Sequence, residues 1–477
     1  MPKKPNLLYV FADQLRYQSV GYAGDTKART PNIDAFAAQS CNFWNAVSNH
    51  PVCAPYRASL FTGKHTSSTG MVINELRLKP NQRCLGHVLT EAGYSTSYIG
   101  KWHLYADEFG NHDDPKNGFV PRGPHRLGFD GEWKAFGFNH NHFNGYYYEE
   151  SPEKKVFPAG TYEPDGQTDL AIDFLKRAAQ TPDTPFAMML SWGPPHDPWN
   201  AEDVPARFLE LFKDEQFPNP PNYKATNDNP YTDEWGSLKE EERAQLEEWR
   251  RVYYAQTACV DWNFGRLLQA LEELGLSDDT IVIFTSDHGE MMGAQGRRAK
   301  GIFYEEACRI PFLLRWPGRV PVHATDALLS TVDILPTLCG LLDLETPATA
   351  EGIDLSAIAK GDDGPQPEAV LLQGTGAIAI WEDGHEWRAL RNKQYTYARY
   401  LVDGHELLFD HQNDPFELHN LATEPAHAAT LERLRTQMAD KMASINDTYE
   451  PSTFYRDHWV NSERHIIASA KGPFISN

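Results

Sequence analysis

The chain has 477 residues, 41% of them hydrophobic and 23% charged, enough for one large core and a smaller companion. Its 44 basic and 66 acidic side chains leave a formal net charge of −22, which argues against nucleic acid as the main partner, since phosphate contacts need a basic surface. No apolar run is long enough to cross a membrane.

Lys3 and Lys4 before Leu7–Ala12 imitate the start of a secretion signal. The apolar run is short, Asp13 interrupts it and no small-residue cleavage site follows, so it reads as a buried strand with Asp13 and Gln14 at its carboxyl end. A helical pattern over Asn32–Ala38 comes next, then strands at Ser95–Ile99 and Pro185–Trp192 with a helix at Thr168–Ala179 between them. A helical stretch over Leu238–Leu274, strands at Thr280–Ser286 and Pro311–Arg315 and a helix at Thr331–Leu342 complete the series. Strands alternating with helices predict an α/β domain, a mainly parallel sheet sandwiched by helices, with ligands beyond the carboxyl ends of the strands. Two stretches, from Ala106 to Pro164 and from Asp197 to Gly236, read as long functional loops.

After the linker Gly361–Pro367 the pattern changes to short β runs at Ala369–Gln373, Ile378–Trp381, Glu386–Leu390, Tyr395–Leu401 and Leu407–Phe409, then a helix over Ala426–Ile445. This predicts a catalytic domain over 1–365 and a small antiparallel sheet-plus-helix subdomain over 366–477. The six cysteines are scattered with no paired spacing, which predicts a reduced, cytoplasmic setting; a chain trimmed of a leader, and so periplasmic, would read the same.

On so acidic a molecule an anionic substrate needs a local basic pocket, so single Lys, Arg and His residues near the chemistry matter more than the total. The most informative segment is Cys53-Ala54-Pro55-Tyr56-Arg57, continuing to Thr62-Gly63. A Cys at a helix start near an Arg has a depressed pKa and is reactive. This segment matches at every fixed position the Cys-x-Pro-x-Arg…Thr-Gly signature of type I sulfatases, which the chain resembles over nearly its whole length. The resemblance implies an alkaline-phosphatase-like fold and release of sulfate from a sulfate monoester. It also implies that a formylglycine-generating maturation enzyme oxidises Cys53 to formylglycine, whose hydrate is the nucleophile.

Two polar pairs follow apolar strands, Asp13-Gln14 and Asp287-His288, and pairs at the ends of neighbouring strands can converge on one divalent cation. The resemblance gives these positions and Cys53 as the metal ligands. Calcium is the expected ion, with magnesium and manganese left open, because many relatives carry Asp-Asp and Asp-Asn instead. In Gly100-Lys101-Trp102-His103 the alternate residues Lys101 and His103 share one side of an extended segment. The resemblance places Lys101 on sulfate oxygens and His103 beside the nucleophile. It likewise makes His196, in Pro194-Pro195-His196-Asp197-Pro198, the proton donor to the leaving oxygen, Lys300 a second sulfate-binding lysine and Arg57 an activator of the nucleophile. Asn74 falls where several relatives place a side chain against the sulfate or first sugar.

For the alcohol, His140–Tyr148 and Trp199 are candidates to stack on sugar rings, and the segment from Trp381 to Arg391, with His385, Trp387 and Arg388, to reach over the pocket. A sulfated saccharide is the expected substrate, and Arg388 is read as substrate-binding. The competing readings are a phosphodiester or phosphonate monoester hydrolase on the same scaffold, disfavoured by the Lys101/His103 pair, and a silent glycan-binding protein, disfavoured because every proposed catalytic position holds a competent residue.

Overall fold

The computed structural model describes residues 4–74, 76–108, 114–226, 236–375, 383–463 and 465–466. Its principal sheet is built from β1 (Asn6–Asp13), β2 (Cys41–Val47), β3 (Ser95–Lys101) and β4 (Glu132–Phe136). A short ribbon, β5 (Tyr146–Tyr147) and β6 (Lys155–Val156), precedes β7 (Phe186–Pro195), β8 (Thr280–Ser286), β9 (Phe312–Arg315) and β10 (His323–Ser330). The eight main strands run in the order β10-β2-β9-β8-β1-β7-β3-β4. All pairings are parallel except those of β9, which runs against both β2 and β8.

β1 is buried along its whole length between β7 and β8, which is why its sequence is an unbroken apolar run. Its side chains alternate between two cores. Leu7, Tyr9 and Phe11 join helices α2 (Cys53–Thr62), α3 (Leu85–Glu91) and α6 (Thr331–Leu342) on one side. Leu8, Val10 and Ala12 join α1 (Pro31–Ala37), α4 (Glu163–Ala178) and α5 (Leu246–Glu273) on the other. The expected helix-covered sheet is therefore present.

Three strands of the principal sheet lie outside the sequence expectation, as does the β5–β6 ribbon. β2 and β10 were not anticipated, and β4, within the stretch read as a loop from Ala106 to Pro164, is an edge strand pairing parallel with β3. Its Trp133, Ala135 and Phe136 are buried while Glu132 and Lys134 are only partly covered, so the five-residue alternation was too short to stand out among its polar neighbours.

The second sheet is an antiparallel meander of β11 (Val370–Gly374), β12 (Trp387–Arg391), β13 (Tyr395–Tyr400) and β14 (Glu406–Asp410). One face packs Leu372, Trp387 and Ala389 against Phe303 and Tyr304 of the large sheet's loops. The other is covered by α7 (Ala428–Ser444) through Leu431, Leu434 and Met438. The run expected at Ile378–Trp381 lies outside the described residues. No helix among the described residues is long and apolar enough to cross a membrane.

Candidate active site

The four neighbouring strands β3, β7, β1 and β8 deliver polar residues from their carboxyl ends to one edge. Asp13 closes β1, Lys101 closes β3, His196 follows β7, and Asp287 and His288 follow β8. Cys53 enters from the first turn of α2, which is buried throughout. The residue before it, Val52, has no side chain to cap that helix, and Asn74 does so from outside, its Oδ1 accepting from the Ala54 amide at 2.9 Å. Asn74 thus stands beside Cys53 as a helix cap.

Arg57 lies one turn after Cys53, on the same helix face. Its Nη1 donates to Ser191 Oγ at 2.8 Å and to the Lys101 carbonyl, and its Nη2 faces Asp13 Oδ2 at 3.3 Å and Asp287 Oδ2 at 3.4 Å. Lys101 Nζ donates to Asp13 Oδ2 at 2.7 Å. The Cys53 thiol is 3.2 Å from His288 Nε2 and 3.5 Å from Asp13 Oδ1. Burial and Asp13 push this thiol up, but Lys101, Lys300 and His288 outweigh them and hold it well below the ordinary thiol range. The site therefore favours a negative charge at position 53.

The same atoms meet the requirements of a divalent cation. One ligand atom each from Asp13, Cys53, Asp287 and His288 lies within 4.8 Å of the others, and all four residues are buried. His288 Nδ1 is 2.9 Å from the Gly289 carbonyl, which can only accept, so Nδ1 is the donor there and Nε2 is the nitrogen turned toward Cys53, Asp13 and Asp287. Burial would raise Asp13, yet Lys101, His196 and Lys300 hold it well down; burial and the Asp13 charge hold Asp287 up. A cation between the two carboxylates relieves that repulsion. Gln14 stands at the rim of the cluster, its Nε2 donating to Glu290 Oε2 at 2.6 Å and its Oε1 accepting from Lys300.

Lys300 Nζ is 2.6 Å from His196 Nε2, whose Nδ1 is 3.0 Å from Asp197 Oδ1. Burial and Lys300 push the His196 imidazole down, but Asp197 and Asp13 overcome them and lift it to about 9. An anion placed between Lys300 and a protonated His196 accepts from both. His103 lies against the Cys53 thiol and is kept neutral by burial and Lys101, at about 3. Three residues that frame the site, Gln14, His103 and Ala299 next to Lys300, have left-handed backbone with φ of 70°, 56° and 60°. Strain in non-glycine residues collects where the surroundings hold a side chain in an otherwise unfavourable direction.

The chain matches the family model described as Sulfatase over residues 5–344 and the model described as N-sulphoglucosamine sulphohydrolase, C-terminal, over residues 293–444. The chain belongs to the sulfatase family. It is a sulfuric ester hydrolase. Among its relatives, an ulvan-active sulfatase of Formosa agariphila is 35% identical over 98% of this chain and 86% of its own length. An endo-4-O-sulfatase of Bacteroides thetaiotaomicron is 30% identical, covering 93% of each chain. A solved sulfatase structure from Bacteroides fragilis superposes with a TM-score of 0.81 at 30% identity, covering 95% of this chain and 97% of the other.

The structure of this sulfatase brings Cys53, Arg57, Lys101, His103, His196, Lys300, Asp13, Gln14, Asp287 and His288 together and leaves Arg388 out. Arg388 is buried in β12, with Nε and Nη2 on the two carboxylate oxygens of Asp447 at 2.6 and 2.9 Å. A guanidinium so committed ties the small sheet to the segment after α7, and its reading as a substrate ligand is corrected. Most of the aromatics expected to stack on sugar also turn inward. Trp199 is buried with Nε1 on the Pro195 carbonyl, and His142, Tyr146 and Tyr148 are buried too; Trp387, in the segment expected to reach over the pocket, is buried with Nε1 on the Gly301 carbonyl. Trp381 lies outside the described residues.

Sequence reasoning gave no role to Ser191, Asp197 and Glu290, which hold Arg57, His196 and Gln14. Asp197 and Glu290 adjoin the motifs already quoted, and that adjacency was the available signal. Ser191 lies inside a strand and gave none.

Proposed function

We propose that this sulfatase removes sulfate from a sulfated saccharide, using formylglycine formed from Cys53 as its nucleophile. The observation that carries this reading is the buried cationic pocket of Arg57, Lys101, Lys300 and His196 around position 53, inside a molecule of net charge −22. Relatives named for ulvan and for endo-4-O-sulfate support a saccharide as the alcohol.

In this reading the hydrated aldehyde at position 53 attacks sulfur, forming the new O–S bond as the bond to the alcohol oxygen breaks. A divalent cation, for which we favour calcium, would be held by Asp13, Asp287, His288 and position 53 and supply positive charge that activates the nucleophile and neutralises the sulfate oxygens. Lys101 and Lys300 bind those oxygens, and Arg57 balances the carboxylates that would otherwise repel them. His196, oriented by Asp197, gives its proton to the departing alcohol. His103, neutral and beside position 53, takes the proton of the second hydroxyl, so the aldehyde re-forms as sulfate leaves. A plain thiol or hydroxyl has no second hydroxyl for that elimination.

The test is co-expression with a formylglycine-generating enzyme, followed by mass spectrometry of the Cys53 peptide and sulfate-release assays on saccharide sulfates. Conversion together with catalytic sulfate release is expected. Full turnover by protein whose Cys53 remains a thiol would refute the nucleophile.

A further inference from the structure

His140 packs against the ring of His196 and is the more exposed of the two. His196 is 5% exposed whereas His140 is only half-buried, and the two rings lie edge to face with centroids 4.0 Å apart. On its other side His140 packs on Phe138 at 4.1 Å, and Phe138 in turn meets His103 at 5.2 Å. His140 therefore lies beside the proposed proton donor, and through Phe138 it is linked to His103 beside position 53. Its neighbours Tyr146 and Tyr148 are buried, and His142, buried too, reaches the His196 backbone carbonyl with Nε2 at 3.2 Å, whereas His140 packs on the His196 ring.

The hydrogen bonding of the ring defines what it can recognise. His140 Nδ1 is 2.9 Å from the Asp197 carbonyl oxygen, an acceptor only, so Nδ1 carries the proton and Nε2 keeps its lone pair. That Nε2 is buried and, among the described residues, has no hydrogen-bond partner. A buried acceptor left without a donor is unfavourable and calls for an explanation. A neutral acceptor suits a hydroxyl; it repels a second sulfate, whose oxygens only accept. Burial and the neighbouring His196 keep the ring neutral.

We propose that His140 reads the alcohol half of the ester, its Nε2 accepting a hydrogen bond from a free saccharide hydroxyl next to the sulfated oxygen while its ring holds His196 against that oxygen. The inference rests on the reading above, in which the alcohol leaves past His196. It selects monosulfated sugars with an unsulfated neighbouring hydroxyl.

The experiment uses matured enzyme, wild type and His140→Phe, the latter keeping a ring against His196 without either nitrogen. The probes are the methyl glycoside monosulfate turned over best among rhamnose, galactose and N-acetylglucosamine sulfates, and its analogue with hydrogen replacing the adjacent hydroxyl. Both have alcohol leaving groups, so damage to the proton donor affects them alike and cancels in the ratio. Wild type is expected to prefer the hydroxylated ester by about 10- to 100-fold in kcat/KM, and His140→Phe to reduce that preference to within about 3-fold. His140→Gln, which keeps an acceptor, should restore part of it. An unchanged preference in His140→Phe, or no preference in wild type, overturns the proposal. Absence of sulfate release from every saccharide by wild type would remove the saccharide reading itself, and this inference with it.

Discussion

Arg57 bridges the two carboxylates of the site with no solvent around it, so its substitution separates structural from chemical roles. Removing one partner of a buried ion pair leaves the other charged and unpaired, and Arg57→Ala is expected to lose about 3–5 kcal/mol of stability in denaturant unfolding. Cys53→Ala removes only a small buried group; it should fold and release no sulfate over repeated cycles. His196→Ala should lower kcat on alkyl sulfates by about 10²–10⁴-fold and on 4-nitrophenyl sulfate far less, since that leaving group needs no proton. An equal loss on both would deny His196 the role of acid. Buried Glu163 makes a different test. Burial lifts its carboxyl to about 8, although Gln167, Lys101 and Asn139 pull it down. The folded state keeps a proton that the unfolded chain releases near pH 4.5, so this stabilisation is complete below that pH and is lost as pH rises through about 8. Melting temperatures between pH 5 and 9 should show Glu163→Gln gaining on wild type as pH rises. At this scale the sequence was most legible where chemistry is packed into contiguous motifs, as around Cys53, Asp13 and Asp287. It misled at Arg388, because a buried Arg and a ligand-binding Arg look alike until Asp447 is seen beside it.

Apart from β2, β4, β10 and the β5–β6 ribbon, the strands of the large domain were legible as apolar runs, and the carboxyl ends of β1, β3, β7 and β8 gather the candidate residues at one edge. What periodicity does not carry is direction and partner: nothing in Phe312–Arg315 says that β9 runs against its neighbours. Close approach is similarly hidden. Gly100, in β3 with φ 102°, would place a Cβ 2.0 Å from the Ser191 carbonyl oxygen, beside the hydroxyl that anchors Arg57. Gly100→Ala is expected to cost about 3 kcal/mol or more, or to prevent soluble accumulation. Urea unfolding measures the first and expression yield the second. β12 also acts on the site from a distance, because Trp387 Nε1 donates to the Gly301 carbonyl at 2.9 Å, next to Lys300.

For the molecule as a whole, the large acidic excess coexists with a cluster of buried cations, so overall charge says little about the ligand. If a divalent cation binds at Asp13, Asp287 and His288, it stabilises the folded chain by mass action. The melting temperature should rise with calcium and fall with a chelator, and Asp287→Asn should flatten that response. The subdomain arrangement was legible from the change of pattern after Gly361, whereas the packing of the small sheet on the Phe303 loop was not, since it depends on contacts remote in sequence.

Cys53 has no exposed surface, and neither has any other residue of its helix beyond a buried fraction. Another protein's catalytic centre has no route to that sulfur once the chain has closed over it. The proposed oxidation is therefore a race against folding, run once per molecule and decided near the time of synthesis. On that reading a chain that folds first stays a thiol, and the active fraction of a preparation would report how much of it was oxidised before folding. Incubating folded thiol protein with the maturation enzyme should give no aldehyde, whereas the same peptide supplied unfolded should be converted.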